Sequence, residues 1–361
     1  MIPDEKNCVA VTGIGIVTPS VLSFDMITKD KLNVSEIKKI IDDIPLPQGQ
    51  NSRELRRLSK LVRIAASAAD QALNMSGKST EKMGVGVALT HGSTSYLVDF
   101  HELLYSYGAD NASPSAFSNG VTNAPLSTVS TMFKLTSGGV TYTGLESSGL
   151  DILSAGAQSL LFNEYDSFLV GSAEEYSPFV EQIYAEYGWY NGRIPSYLPG
   201  GNCRTEGYPL SEGGAFMVFE PLTEETSGRA VALYQPVSDD ELMQCMPDLV
   251  ISGASGGPQD KYEKRLLKKI LRKNNTDCVF TSAVFGNCFA LSGLLSGVLA
   301  CACIKSKSVL LPRKRPNPEI AGMIKEKDSV SSVLVTSASR DGQVSCGMFY
   351  PPATAHFDSA Q

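Results

Sequence analysis

Short unbroken apolar runs alternate along the chain with stretches whose apolar positions recur every three to four residues. "CVAVTGIGIVTP" (8–19) is apolar throughout and closes on a Gly-rich turn, which predicts a buried β-strand. "MGVGVALTHGS" (83–93), "DSFLVGSAEE" (166–175) and "GGAFMVFEPL" (213–222) read the same way. Between them, Leu55 to Leu73 has helical periodicity with a basic outer face, and a helix near Thr128 and a strand near Val140 follow. Leu150, Ile152, Leu153, Leu160 and Leu161 then mark an amphipathic helix that begins just after Glu146.

A second series begins near Ala230. Strand-like "AVALYQPV", "DLVISGAS", "CVFTSAV" and "SVLVTSAS" alternate with helices at Lys261 to Arg272 and Leu291 to Ile304. Two successive α/β halves of comparable character predict an internally duplicated, layered fold, although no short sequence repeat is visible. The boundaries fall at 1–225 for the first half, 226–352 for the second and 353–361 for a loose tail.

Composition narrows the picture. With 361 residues, 42% hydrophobic and 19% charged, the chain has the balance of a globular protein with a sizeable core. A net charge of −7, with no basic run interleaved with aromatics, argues against a nucleic-acid partner. The first residues lack the regions of a signal peptide, and the longest apolar candidate, Phe289 to Ile304, is too short and too rich in small residues for a membrane span. A cytoplasmic protein without a membrane partner is expected. Eight scattered cysteines without a CxxC pair predict buried free thiols, with no metal site and no disulfide framework. "TGIGIVT" lacks the third glycine of a dinucleotide fingerprint, so no cofactor is expected.

Glu146 raises the chemical question. A helix N-terminus presents unpaired N–H groups and the positive end of the macrodipole, so it favours an anion. A cysteine there would be a good nucleophile. A glutamate is a poor acyl acceptor, and the same field favours its ionised form, which makes it a weak general acid. On this stretch alone, an acidic residue that only stabilises the helix is the simpler reading.

In order along the chain, "VAVTGIGIVTP", the long segment from "SPSAFSNGVTNAPLS" through "TYTGLESSGLDIL", "FLVGSAEE" and "LSEGGAFMVFEPL" resemble the β-ketoacyl synthase family of the thiolase superfamily over about residues 7 to 350. The resemblance implies an α/β, thiolase-like five-layer αβαβα fold built from two similar halves. The family's chemistry uses a Cys nucleophile in a C-x-x-G element, two His that bind the thioester carbonyl, and a Lys. Here that element reads E-S-S-G, with Glu146 in the place of the cysteine and Gly149 retained. Gly253 in "ISGASGGPQD" falls at the first His and Asn287 in "TSAVFGNCFALSGLLSG" at the second, with Ser282 near the Lys. The Gly-rich loop near the end has become "TSASRDGQVS", 336–345. The chain holds only His91, His101 and His356, none in a catalytic turn of the second half, and His91 and His101 read as structural. Ser147, Ser148, Cys203 and Cys288 are the substitute nucleophiles to consider, but none has an adjacent His to act as base.

A retained fold with a vacated catalytic set resembles the chain length factor of type II polyketide synthases, which usually carries Gln at the nucleophile position where this chain has Glu146. The resemblance implies a subunit that is not an enzyme alone. It would pair as a heterodimer with a catalytic ketosynthase, receive chains carried by an acyl carrier protein, and bound the tunnel of the growing polyketide. Tyr96, Phe100 and Leu104, at i, i+4 and i+8 on one helical face with Leu103 beside them, are the candidate length gate. Phe117 and Asn123 are placed at the partner interface. Arg53, Arg56, Arg57, Lys60 and Arg63 are one candidate carrier-protein surface, and Lys305, Lys307, Arg313, Lys314 and Arg315 another, although a solvated face is the usual fate of such charge runs. Three alternatives stay open: the equivalent subunit of an aryl polyene synthase, a thiolase-superfamily enzyme using Glu146 as base, and a free-standing acyl-binding homodimer.

Overall fold

β1 (Val9–Val17) is buried along its whole length and lies at the centre of the sheet. In the computed structural model, which describes residues 5–29, 32, 37–189, 207–311 and 318–352, the other strands are β2 (Met83–Leu89), β3 (Gly139–Thr143), β4 (Ser167–Glu174), β5 (Gly213–Pro221), β6 (Ala232–Pro236), β7 (Leu249–Ser252), β8 (Asp277–Phe280), β9 (Val333–Ala338) and β10 (Val344–Tyr350). They form one ten-stranded sheet in the order β3-β2-β4-β5-β1-β6-β10-β9-β7-β8.

That order contains the duplication. Counting strands within each half gives 3-2-4-5-1 for β1–β5 and the same order for β6–β10, read inward from the opposite edge. The pairings repeat as well: β2 is parallel to β3 and β4, as β7 is to β8 and β9, while β5 and β10 run antiparallel to both neighbours. The halves join where Val9, Ala10 and Val11 of β1 pair antiparallel with Tyr234, Leu233 and Ala232 of β6. The duplication is therefore one of topology, carried by apolar strands that need not share a motif.

Seven helices carry the argument: α1 (Lys60–Ser76), α2 (Thr94–Tyr107), α3 (Ala124–Phe133), α4 (Ser148–Leu161), α5 (Pro178–Glu186), α6 (Asp260–Lys273) and α7 (Ala290–Ser306). α1 covers β1 and β5 from outside, and α6 covers β9 on the other outer face. α4 and α7 pack on each other and touch strands of both halves, forming the central layer of a five-layer αβαβα arrangement. α7 is buried from Ala290 to Ile304, so its apolar run serves the core. No helix among the described residues is long and apolar enough to cross a membrane.

The α4/α7 crossing depends on glycine. A Cβ at Gly149 would stand 1.9 Å from the Ala290 carbonyl oxygen, and one at Gly293 would stand 2.9 Å from Leu150 N. Gly149 is thus retained for packing between backbones, independently of the residue at 146.

Two sequence expectations need correction. The helix expected over 55–73 starts at Lys60, because the Ser59 hydroxyl accepts from Val62 N–H and caps it. Arg53, Arg56 and Arg57 therefore precede the helix. The segment 336–345 is also not a continuous loop: Thr336–Ala338 end β9 and Val344–Ser345 begin β10, an additional strand, leaving a tight hairpin over 339–343. The tail 353–361 with His356, together with Cys203 and Arg313, Lys314 and Arg315, lies outside the described residues.

Candidate functional site

The start of α4 is stitched to the β9–β10 hairpin. Ser337 donates its hydroxyl to the Glu146 carbonyl (3.1 Å), and Ser147 N–H donates to Ser339 Oγ (2.8 Å). Ser339 donates in turn to Ser147 Oγ (2.8 Å), whose hydroxyl donates to Asp151 Oδ2 (3.2 Å). Gln343 and Ser345 also donate to Asp151. Ser147 is therefore held by hydrogen bonds with no imidazole beside it among the described residues, which leaves it without a base to activate it. Burial pushes the Asp151 carboxyl up, against the opposing hydrogen bonds from the two serines.

Glu146 is 5% exposed, and Arg340 from the hairpin places Nε 2.7 Å from its Oε1. The N–H does not point along that line, and among the described residues neither carboxylate oxygen accepts a hydrogen bond. The attraction is a charge contact in a poorly hydrated place. The Arg340 guanidinium also lies 4.3 Å from the Tyr184 ring centroid and 4.4 Å from that of Trp189, whose rings meet edge-on. Both aromatics come from α5 and the turn after it.

Tyr184 OH meets His91 Nε2 at 3.1 Å, and the imidazole packs edge-on to Phe289 with centroids 4.4 Å apart. Burial, helped by the Arg340 charge, lowers the His91 pKa to about 4, so the ring is neutral at physiological pH. His91 thus keeps its structural reading, although it stands beside the Glu146 cluster. Phe289 has φ +52°, a conformation a bulky residue adopts only when its surroundings hold it. Asn287 provides part of that hold, its Oδ1 accepting from Phe289 N–H at 3.1 Å.

The residues that the sequence resemblance sets at the catalytic positions are engaged in local structure. Asn287 shapes a turn, and Gly253 donates its N–H to the Thr336 carbonyl (2.8 Å). Ser282 is buried and donates to the Ala254 carbonyl. Cys288 is fully buried, and burial raises its thiol to about 12, which leaves it no thiolate at neutral pH. Ser148, 2% exposed, has no histidine within its hydrogen-bonding partners among the described residues.

Two buried carboxylates at the end of β4 position the loop that follows β2. Glu174 accepts from the N–H groups of Thr90 and His91, and its carboxyl is pushed up to about 8 by burial despite those donors. Glu175 accepts from Ser95 N–H (3.0 Å) and Ser95 Oγ–H (2.8 Å), standing in for the missing side-chain cap of α2. Glu212 does the same for Ile41 and Tyr176 and pairs with Lys60. Lys60 is consequently engaged inward and does not belong with the exposed Arg53, Arg56 and Arg57 of the carrier-surface expectation; Arg63 is half-buried. Arg56, Lys60 and Arg63 share a groove of about 530 Å³ with Asp42 and Asp43, so that surface is of mixed charge.

α2 has no buried residue. Tyr96, Phe100, Leu103 and Leu104 are half-buried, and Phe100 lies 5.5 Å, ring to ring, from Phe117, which is 54% exposed. Asn123, exposed, precedes α3. Beyond them, β3 forms an open edge of the sheet with Val140 and Tyr142 uncovered. The gate and interface residues thus share a region whose apolar side chains the chain itself does not cover. Sequence reasoning missed Arg340, Tyr184, Trp189 and Glu174; only the unusual "SRDG" in place of a Gly-rich loop signalled the first.

The family described as Beta-ketoacyl synthase, N-terminal domain, matches residues 45–225, half of the chain. No curated protein sequence matches it. Among solved structures, the ishigamide ketosynthase/chain length factor superposes with a TM-score of 0.82 at 13% identity, over 96% of this chain and 100% of that one. A β-ketoacyl synthase from Burkholderia phymatum STM815 gives 0.75 at 15% identity, over 96% and 99%. A type II PKS acyl-carrier protein in complex with its ketosynthase bound to the hexaketide (AntDE:AntF) gives 0.73 at 17% identity, over 96% and 100%. At these identities the likeness is one of fold.

Proposed function

The chain belongs to the β-ketoacyl synthase family, and on that premise we propose that it is the non-catalytic chain length factor of a type II polyketide synthase. It pairs as a heterodimer with a catalytic ketosynthase and bounds the tunnel into which the polyketide grows, the substrate arriving on an acyl carrier protein. The observation that carries this reading is Glu146 in the nucleophile's place, buried and ion-paired to Arg340. With Gly253 and Asn287 at the histidine positions, nothing there can attack a thioester or stabilise the enolate formed on decarboxylation.

The uncovered region supports a partner. An open β3 edge and a helix without a buried residue are a liability in a solitary protein and a ready interface in a paired one. The solved neighbours include a ketosynthase/chain length factor and a ketosynthase with its acyl-carrier protein, which agrees with both partners. A lining of Tyr96, Phe100, Leu103 and Leu104 would act as a steric ruler, since forcing two more carbons against packed side chains costs about 1–3 kcal/mol. The alternative in which Glu146 acts as a base is disfavoured by its pairing with Arg340.

Co-expression with a catalytic ketosynthase of a type II polyketide synthase tests the reading. The expected result is a one-to-one complex on gel filtration that condenses malonyl units only while the ketosynthase's own nucleophile is intact. A homodimer that consumes acyl thioester unaided, and loses this in Glu146→Ala, would overturn it.

A further inference from the structure

α6 is chemically lopsided. Its sequence, DKYEKRLLKKILRK, carries seven Lys or Arg, and its two acids, Asp260 and Glu263, are both buried. Asp260 caps the preceding turn by accepting from Ser255 and Gly256 N–H, and Glu263 accepts from Thr336. The exposed positions Lys261, Arg265, Lys269, Arg272 and Lys273 are all cationic. Lys264 and Lys268 pair with Glu319, and Lys273 donates to the Met243 carbonyl. Lys261, Arg265, Lys269 and Arg272 have no ion pair among the described residues, and the first three repeat at i, i+4 and i+8.

Like charges at that spacing disfavour a helix. A chain of net charge −7 nevertheless concentrates them here. Beside the stripe runs a surface groove of about 490 Å³ lined by Leu242, Met243, Leu266 and Val344 along with Arg265 and Lys269. Met243, 39% exposed, is an adaptable apolar contact in its wall. The nearby carboxylates are engaged: Glu241 accepts from Ser238, and Asp341 from Gln343 N–H.

We propose that this face of α6 and its groove dock an acidic amphipathic helix of a partner protein, whose carboxylates meet Lys261, Arg265, Lys269 and Arg272 while an apolar side chain enters between Leu266 and Met243. The cations set charge complementarity and the groove supplies what a purely solvated basic face lacks. The surface is on the second half of the chain, apart from the open β3 edge and α2, so the inference does not depend on the chain-length role.

The test uses the full-length chain and a fluorescein-labelled helical peptide with Glu at every fourth position and a leucine stripe, beside a scrambled peptide of equal composition. Anisotropy should show binding to the patterned peptide at 50 mM salt, weakened at least tenfold by Arg265→Glu/Lys269→Glu, several-fold by Met243→Ser, and not by Arg53→Glu/Arg57→Glu. If the charge-reversed chain does not fold, Lys269→Gln/Arg272→Gln reads the same effect. Equal binding of the scrambled peptide, or indifference to these substitutions, would overturn the proposal. So would tighter binding, at the same residues, to vesicles with 30% phosphatidylglycerol or to a 20-base-pair duplex.

Discussion

Arg340 Nε lies 2.7 Å from Glu146 Oε1 and the same guanidinium rests on the rings of Tyr184 and Trp189. The carboxylate at the head of α4 therefore answers two fields, that of the helix N-terminus and that of a cation brought from the second half. Removing one partner of such a pair strands the other charge in a dry site, which typically costs about 3–5 kcal/mol. Arg340→Ala should lose about that much in urea unfolding, and Arg340→Ala/Glu146→Gln should recover most of it. Additive losses in the two single substitutions would deny the coupling.

Restoring the nucleophile should not restore catalysis. In Glu146→Cys the thiol would face the Arg340 charge, which favours thiolate, so slow labelling by iodoacetamide is expected. Condensation needs more than this, because Gly253 and Asn287 supply no imidazole to hold the thioester carbonyl. With a partner ketosynthase lacking its own nucleophile, the Glu146→Cys complex should form no more product than the unsubstituted one.

Much of the architecture was legible because it is written in local pattern. β1, β2, β4 and β5 are apolar-rich runs, and α4 begins just after Glu146, as its amphipathic pattern predicts. What pattern could not show is what the duplicated sheet brings together: Glu146 and Arg340 lie in different halves of the chain, and no periodicity links them. β10 carries no clear strand pattern, because "VSCGMFY" interleaves a Gly and a Cys and its pairing with β6 and β9 decides its state. Periodicity alone starts α1 too early, because a Ser cap inside an otherwise helical run outweighs it. Lys60 looked like its neighbours until the fold turned it toward Glu212.

The buried titratable groups give a signed pH dependence. His91 is held near 4, below its ordinary 6.5, so its contribution is complete above about pH 6.5 and is lost as pH falls towards 4. Glu174 and Glu263 are both raised to about 8, above an ordinary 4.5. Their contribution is complete below about pH 4.5 and is lost as pH rises towards 8. Between pH 6.5 and 8 only the carboxyls act, each lowering stability by up to about 1.4 kcal/mol per pH unit. Glu174→Gln should roughly halve that slope in unfolding measured from pH 6.5 to 8; an unchanged slope would mean that Glu174 is already ionised in the fold.

Glycine offers a sharper contrast. Gly149→Ala sets a methyl group against the Ala290 carbonyl, where backbone rather than a flexible side chain must give way. A loss of more than about 3 kcal/mol, or failure to fold, is expected. Gly228, in the short Glu224–Arg229 helix, has nothing within 4 Å of an added Cβ. Gly228→Ala should shift stability by about 1 kcal/mol at most, in the favourable direction. Comparable melting temperatures for the two variants would contradict the close crossing of α4 and α7.

The length gate is the prediction closest to function. Phe100 is half-buried on a helix that its own chain leaves open, its ring against Phe117 and beside His101. Glu175 fixes the start of that helix through Ser95, so a change at Phe100 alters the volume in front of the helix without releasing its anchor. In the complex with a ketosynthase, Phe100→Ala should move products towards one or two additional two-carbon units, and Leu104→Phe should shorten them. Mass analysis of products formed from malonyl-loaded carrier protein reads both. Ser95→Ala, which loosens the anchor, should instead broaden the distribution around an unchanged mean, because it leaves the wall in place and adds motion to it. Unaltered lengths in all three variants would remove α2 from the tunnel and leave its uncovered face to partner packing alone.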